Sequence, residues 1–260
     1  MNLHQNLVNE VFSNVASKYD LMNDVMSLGV HRLWKTEFVN SIGQIRPNYN
    51  YDNDGKCNIT PMRIIDVAGG TGDISLKILE KAEEYYSKDI NSTYPVEISV
   101  VDINKNMLEE GKKKCEEKGI DQSKLNFIEC NAENLSFLKD SSVDLYTISF
   151  GIRNCTRRDN VLKEAFRVLK RGGRIMCMEF SHVQIPVFDK FYDFYSTNII
   201  PELGGFFAND KESYRYLIES IKKFPTQEDF KKEFVEAGFS FTKYVNLSGG
   251  IVAIHSGVKI

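Results

Sequence analysis

Residues 66–73 read Asp-Val-Ala-Gly-Gly-Thr-Gly-Asp, after the apolar pair Ile64-Ile65. Glycines at 69, 70 and 72 leave bare backbone against which a ligand can lie. A phosphate-binding loop would need Lys followed by Ser or Thr after its last glycine, and neither follows here. A dinucleotide fingerprint is poorly met, because Gly70-Thr71-Gly72-Asp73-Ile74-Ser75 puts serine in the third glycine slot. Asp73 at the start of the following helix would also repel a pyrophosphate drawn to that helix terminus. S-adenosylmethionine offers an ammonium, a sulfonium and a ribose, all of which suit carboxylates.

Asp102 closes the next strand-like run, where a carboxylate can accept hydrogen bonds from both ribose hydroxyls. It stands 30 residues beyond Gly72, against roughly 20 in the nicotinamide fingerprint, and the polar stretch 88–95 reads as the insertion responsible. A plain strand-end cap is the alternative role. Asn131-Ala132-Glu133 follows the third run and is placed to reach an adenine amine, with a simple turn as the competing reading of Asn131.

These residues need a scaffold that brings strand ends together. Runs at 63–68, 97–102, 125–130, 143–150 and 173–180 read as strands. Patterns at 74–86, 105–119 and 158–170 read as helices, the second ended by Gly119. Strands alternating with helices predict a parallel sheet. Runs 239–247 and 250–259, joined by a Ser-Gly turn, predict an antiparallel hairpin at the end of it. The expected fold is an α/β, Rossmann-like class I S-adenosylmethionine-dependent methyltransferase sheet, mostly parallel, with a C-terminal antiparallel hairpin. One domain spans 1–260: an N-terminal helical cap (1–47), a flexible Asn-rich polar insertion (48–58) and a substrate-covering helical segment (183–222). That last segment carries Phe188, Phe191, Phe194, Phe206 and Phe207, the last two expected at the substrate mouth. An ordinary amphipathic helix packed on the sheet is the alternative for it.

The 260 residues allow a full core, and a net charge of −3 gives no bulk attraction to nucleic acid or an anionic surface. Lys112–Lys114 and Arg157-Arg158 read as solvated helix faces. The five cysteines, at 57, 115, 130, 155 and 177, have no metal-ligand spacing, and their odd number argues for a reducing compartment. Cys130 and Cys177 sit in strand-like runs and are expected in the core. No run reaches the roughly 20 apolar residues of a bilayer span, and the N-terminus has neither signal-peptide nor transit-peptide character.

Several motifs together carry a resemblance. Tyr19-Asp20-Leu21-Met22-Asn23, Met26-Ser27, His31 and Trp34 form one. The stretch Arg167-Val168-Leu169-Lys170 through Gly172-Gly173 to Glu179-Phe180-Ser181 forms another. Between and beyond lie the glycine loop, Ser149–Asn154, Ala208-Asn209-Asp210 with Ser213–Leu217, Glu219–Ile221 and Phe224-Pro225. Over nearly its whole length the chain resembles the ubiquinone/menaquinone biosynthesis C-methyltransferases. Arg171 stands where that family usually has proline, which only stiffens a turn. The insertions at 48–58 and around 87–95 look like the eukaryotic branch.

The resemblance implies S-adenosylmethionine as cofactor, no metal, and C-methylation of a 2-polyprenyl-6-methoxy-1,4-benzoquinol in ubiquinone biosynthesis. The phenolate formed by losing a phenolic proton makes the ortho carbon nucleophilic. The expected cofactor residues are Asp66, Gly69, Gly70, Thr71, Gly72, Asp102, Asn131, Ala132 and Ser149. Arg153, Asn154 and Tyr19 are the expected catalytic residues. An arginine is too basic to be a proton acceptor at neutral pH, so Arg153 is expected to stabilise the phenolate while water carries the proton. Its alternative is an ion pair with a neighbouring carboxylate. Tyr19 would close over the cofactor or assist proton transfer, or simply pack. Trp34 is read as packing, His31 as a base or a hydrogen-bonded core residue, and Glu179 as a base or a structural partner.

A quinol with a long isoprenoid tail places the enzyme peripherally on a membrane, with no nucleic-acid partner. The implied location is the matrix side of the inner mitochondrial membrane for a eukaryotic chain, with the leader absent here, and the cytoplasm otherwise. A homodimer and membership of a quinone-biosynthesis complex are compatible with it. The rival readings are demethylmenaquinol methylation, an O- or N-methyltransferase of another small molecule, a non-catalytic subunit that binds a quinone intermediate and, more distantly, a nicotinamide dehydrogenase.

Overall fold

The structure, a computed structural model, describes residues 24, 27, 29–52, 54–86, 96–121, 124–185 and 211–260, with only the backbone of 85, 86 and 211–214. Tyr19, the insertion 87–95, and Phe188, Phe191, Phe194, Phe206 and Phe207 lie outside the described residues.

Among these, α1 (His31–Ser41) precedes a two-stranded hairpin, β1 (Asn48–Tyr51) and β2 (Cys57–Thr60). Then come β3 (Met62–Val67), α2 (Asp73–Tyr86), β4 (Val96–Asp102), α3 (Lys105–Glu117), β5 (Leu125–Glu129), β6 (Val143–Ser149), α4 (Arg158–Val168) and β7 (Leu169–Phe180). The chain ends with α5 (Lys211–Lys223), α6 (Gln227–Glu236), β8 (Ser240–Leu247) and β9 (Val252–Val258).

The seven-stranded sheet has the order β5-β4-β3-β6-β7-β9-β8. The first five strands are parallel, and β9 and β8 complete it antiparallel. Alternation along the strands divides the core in two. Ile64, Ile98, Leu145 and Met176 pack with α1, α2 and α3, whereas Ile65, Val101, Tyr146, Ile148 and Cys177 pack with α4 and α6. Helix starts follow local chemistry: Asn104 accepts the Met107 N–H ahead of α3, and Thr226 accepts the Asp229 N–H ahead of α6.

The polar insertion at 48–58 lies in a hairpin: Asn48 pairs with Thr60 and Tyr51 with Cys57, and the Asn48 amide donates to Asp144 at 3.1 Å. Asp144 also accepts the Arg63 backbone N–H at 2.8 Å, so one sheet carboxylate fastens both ends of the hairpin segment. Two expectations need correction, both beyond that hairpin. The helix expected to reach 170 ends at Val168, because Leu169 is extended and pairs with Val143. Cys130 is half-buried rather than core, since β5 ends at Glu129 and the chain turns there; its thiol donates to the Asn134 carbonyl at 3.2 Å.

Candidate functional site

Strand order reverses at β3, which is flanked by β4 on one side and β6 on the other. The carboxyl ends of such strands diverge into a crevice, the usual ligand position in an open α/β sheet. Here the ends of β3, β4, β5 and β6 line one cavity, through Asp66, Ala68–Thr71, Asp102–Asn104, Cys130–Glu133 and Ser149–Gly151. Lys35 of α1 and Asp73 of α2 complete one side of it.

The glycine loop is shaped for close approach. Gly70 has φ +54°, a conformation that L side chains rarely adopt, and its N–H donates to Asp102 Oδ2 at 2.9 Å. A Cβ at Gly69 would lie 2.8 Å from Val100 Cγ1 and 2.9 Å from the Asp66 carbonyl oxygen. Gly72 closes the turn by donating to the Gly69 carbonyl at 2.8 Å. Across the crevice, a Cβ at Gly151 would meet the Ala68 Cβ at 2.4 Å. Ala68 and Phe150 themselves have φ of 50° and 54°, so two non-glycine residues on facing strand ends hold strained backbone at the cavity wall.

Asp102 sits at the rim, with Oδ1 accepting the Asn104 N–H at 2.8 Å while Oδ2 holds Gly70. Each oxygen keeps lone-pair capacity for a further donor. Burial raises its pKa, and the backbone N–H groups of Asn104, Gly70 and Ile103 oppose that rise. Asp66 differs. Its oxygens take the Ser75 and Thr147 hydroxyls, each at 2.8 Å, and burial pushes its pKa up to about 6 against those hydrogen bonds. Its carboxylate therefore serves to join β3, α2 and β6.

Asn131 accepts the Glu133 N–H through its own side chain at 2.9 Å, so its carbonyl oxygen shapes the turn. Glu133 accepts backbone N–H groups of Thr156 and Arg157 at 2.8 and 3.0 Å. Ala132 lines the cavity, as does Ser149, whose buried Oγ has no partner among the described residues. A buried hydroxyl left unmatched at a cavity wall is an available ligand contact. Thr71 is buried, and its Oγ1 accepts from the Lys114 ammonium at 3.2 Å.

The expected catalytic residues separate. Asn154 lines the cavity and accepts from the Tyr216 hydroxyl at 3.2 Å. Arg153 is not among the residues lining it. Its Nη1 donates to Glu179 at 2.7 Å and to the Phe150 carbonyl at 2.6 Å, and its guanidinium lies 5.4 Å from the Phe180 ring centroid. Arg153 Nε is buried without a partner among the described residues. Glu179 is buried; desolvation raises its pKa and Arg153 opposes that. Glu179 therefore holds a guanidinium rather than standing ready as a base. His31 is buried, bonded to Ser27 and 3.6 Å from Asp24, as a core residue would be. Trp34 packs edge-on against Phe180, and its indole donates to Ser248 at 2.9 Å.

Sequence reading missed Lys35, Phe150 and Cys155, all on the cavity wall. Lys35 is the next residue after Trp34, so the signal was adjacent to a motif already noted. Burial pushes the Cys155 thiol up to about 12, which makes it a neutral wall group. The picture of Asp73 as a bare negative charge is also corrected. Its carboxylate pairs with Lys35 at 2.7 Å and Lys114 at 3.4 Å, and those ammonium groups hold its pKa low despite burial. Among the described residues no three His, Cys, Asp or Glu side chains are grouped to hold a metal ion.

Residues 1–259 match the ubiE/COQ5 methyltransferase family. The chain is 48% identical over 260 residues to the mitochondrial 2-methoxy-6-polyprenyl-1,4-benzoquinol methylase of Arabidopsis thaliana, covering 98% of this chain and 85% of that protein. It is 48% identical over 259 residues to a ubiquinone/menaquinone biosynthesis C-methyltransferase of Rickettsia bellii, covering 100% and 95%. A crystal structure of an S-adenosylmethionine-dependent methyltransferase from Thermotoga maritima, titled a possible histamine N-methyltransferase, superposes with a TM-score of 0.60 at 18% identity. That match covers 96% of this chain and 99% of the other, and it shows a shared fold.

Proposed function

As a chain that belongs to the ubiE/COQ5 methyltransferase family, this protein is an S-adenosylmethionine-dependent methyltransferase, and we propose that it methylates a ring carbon of a 2-polyprenyl-6-methoxy-1,4-benzoquinol in ubiquinone biosynthesis. The observation that carries the reading is the convergence of four parallel strand ends on one cavity, with the Asp102 carboxylate at its rim and the unmatched Ser149 hydroxyl in its wall. These groups suit a cofactor with ribose hydroxyls and a cation.

S-adenosylmethionine, when bound, supplies an electrophilic methyl group on a sulfonium. In this reading Asp102 takes the ribose and Gly69, Gly70, Thr71 and Gly72 present backbone to the cofactor. Asn131, Ala132 and Ser149 line its remaining contacts, and Asp66 holds the loop in shape. Asn154 faces the reacting ring. Arg153, outside the cavity lining, stabilises the phenolate through an intervening water: its charge is fixed by Glu179, and its Nε–H has no partner among the described residues. An arginine held against a buried carboxylate does not take up the phenolic proton, so water carries it. Tyr19 is assigned to closure over the bound reactants.

The isoprenoid tail places the protein peripherally at a bilayer surface. Among the described residues no helix is long and apolar enough to cross one. The plant, rice and slime-mould relatives are all named mitochondrial, and the insertions favour that branch. In a eukaryotic source the location is the mitochondrion, on the matrix face of the inner membrane, and in a bacterial source the cytoplasm. Association into a homodimer and a quinone-biosynthesis complex belongs to the same reading.

The test is incubation with S-adenosylmethionine and a short-chain prenyl methoxybenzoquinol, followed by intact-mass and NMR analysis of the product. A new methyl on a ring carbon is expected. A second methoxy signal in place of a ring methyl would make the chain an O-methyltransferase. Absence of S-adenosylmethionine binding by calorimetry would favour a non-catalytic subunit.

A further inference from the structure

Lys35 is an unusual wall residue. It projects from α1, and its side chain is only 8% exposed, with its ammonium 2.7 Å from Asp73 Oδ2. Both residues line the cavity, at the glycine-loop end of α2. Burying an ammonium is unfavourable unless it is paired and hydrogen-bonded, so its position calls for a reason.

Anchoring α1 to α2 is the simplest reason, and other contacts already do it. Lys81 Nζ donates to the carbonyls of Val39 and Asn40 at 3.0 and 3.3 Å, and Lys77 reaches Thr36 at 3.2 Å. Phe38 and Val39 pack in the same apolar cluster as Ile78, Leu79 and Ala82. None of these contacts needs a charge pair facing the cavity. Asp73 is also served from a second direction, since Lys114 approaches Oδ1 at 3.4 Å, and Lys114 is not part of the cavity wall. Two ammonium groups thus attend one carboxylate, and a second carboxylate can reach Lys35 without meeting an uncompensated negative charge.

We propose that Lys35 and Asp73 together form a recognition site for a zwitterionic α-amino-acid group, the amino-acid end of the cofactor, with Lys35 taking the carboxylate and Asp73 the ammonium. This rests on the S-adenosylmethionine reading and adds to it the part of the site that distinguishes the cofactor from nucleosides lacking an amino acid. The two charges of an α-amino acid lie side by side on one carbon, as the two charges of this ion pair lie side by side on the wall. Asp102, at the end of β4, would hold the nucleoside. Because Lys35 belongs to the helix before the hairpin, the site also ties α1 to cofactor binding.

The test compares ligands as well as variants, by calorimetry on the full chain. The ligands are S-adenosylhomocysteine, its decarboxylated analogue and 5′-methylthioadenosine, and the proteins are wild type, Lys35→Met and Lys35→Arg. In wild type, loss of the carboxylate alone should weaken binding about ten- to hundredfold, the scale of a charge-assisted hydrogen bond. Lys35→Met should weaken S-adenosylhomocysteine by a similar factor and leave 5′-methylthioadenosine within about twofold, with Lys35→Arg restoring much of the loss. Equal losses for all three ligands in Lys35→Met would make Lys35 a structural residue and overturn the proposal. So would a wild type indifferent to the carboxylate, a result that does not depend on any variant folding. A wild type that binds none of the three would instead remove the cofactor reading itself, and the proposal with it.

Discussion

The guanidinium of Arg153 lies 2.7 Å from the Glu179 carboxylate, and both side chains are almost fully buried, at 5% and 1% exposure. The residue expected to stabilise developing negative charge is therefore already neutralising a fixed one. The pair is buried beside Phe180, and its electrostatics are coupled: removing either charge strands the other in an apolar setting.

That coupling alters what an Arg153 variant should show. Arg153→Ala should destabilise the fold by about 3–5 kcal/mol through the abandoned Glu179. Arg153→Ala/Glu179→Gln should recover much of the thermal stability while turnover stays about 10²–10³ below wild type, the scale of losing one preorganised stabiliser. Cofactor affinity in the double variant should remain near wild type. Thermal melts, calorimetry and single-turnover methyl transfer read the three quantities separately. Turnover restored along with stability would reduce Arg153 to a structural role.

Asp102→Ala should weaken S-adenosylmethionine binding by about 1.5–3 kcal/mol, as expected for lost hydrogen bonds to a charged acceptor. The substitution also releases the Gly70 and Asn104 N–H groups, so the glycine loop should become more mobile. Calorimetric titration gives the first effect, and amide hydrogen exchange at residues 69–72 the second. Unchanged affinity would take Asp102 out of the cofactor site.

Gly151→Ala should damage the site more than its size suggests, because the new Cβ would lie 2.4 Å from Ala68 Cβ. Ala68→Gly removes that obstacle and relieves a residue with φ of 50°. The double variant should therefore bind the cofactor better than Gly151→Ala alone, a coupling that a double-mutant cycle measures. Additive effects would mean that the two strand ends adjust independently.

Asp66 makes a pH prediction. Its folded-state pKa, about 6, lies above the 3.8 of an ordinary aspartate, so between those values the native state binds more protons than the unfolded chain. Its contribution to stability therefore falls as pH rises through that window, by up to about 3 kcal/mol. His255 acts oppositely. Burial lowers its pKa to about 4, so its contribution is lost as pH falls from about 6.5. The two mask each other in wild type. Chemical denaturation of Asp66→Asn at several pH values separates them: relative to wild type, the variant should gain stability from pH 4 to pH 7. A constant difference would place the Asp66 pKa in the ordinary range.

The strand and helix pattern, the parallel order and the terminal hairpin could be read from the chain, because period and turn residues are local properties. The glycine loop and Asp102 were legible for the same reason: each lies beside a strand end that its own neighbours define. Where the local pattern ended, a distant partner intervened. Leu169 left the helical pattern to pair with Val143, and the polar hairpin is held by Asp144, 96 residues from Asn48.

The roles of the charged residues were decided by tertiary structure. Lys35 meets Asp73 across 38 residues, Thr147 meets Asp66 across 81, and Arg153 meets Glu179 across 26. Composition and spacing name the carboxylates but cannot say which of them will be partnered. That depends on strand register and on which helix covers which face. A one-residue shift in register would turn Thr147 away from Asp66, because successive strand residues point to opposite faces. The sequence by itself determined that a glycine loop and a carboxylate would stand at neighbouring strand ends. Only the packed sheet and its covering helices determined which of its charges are committed to the fold and which remain available to a ligand.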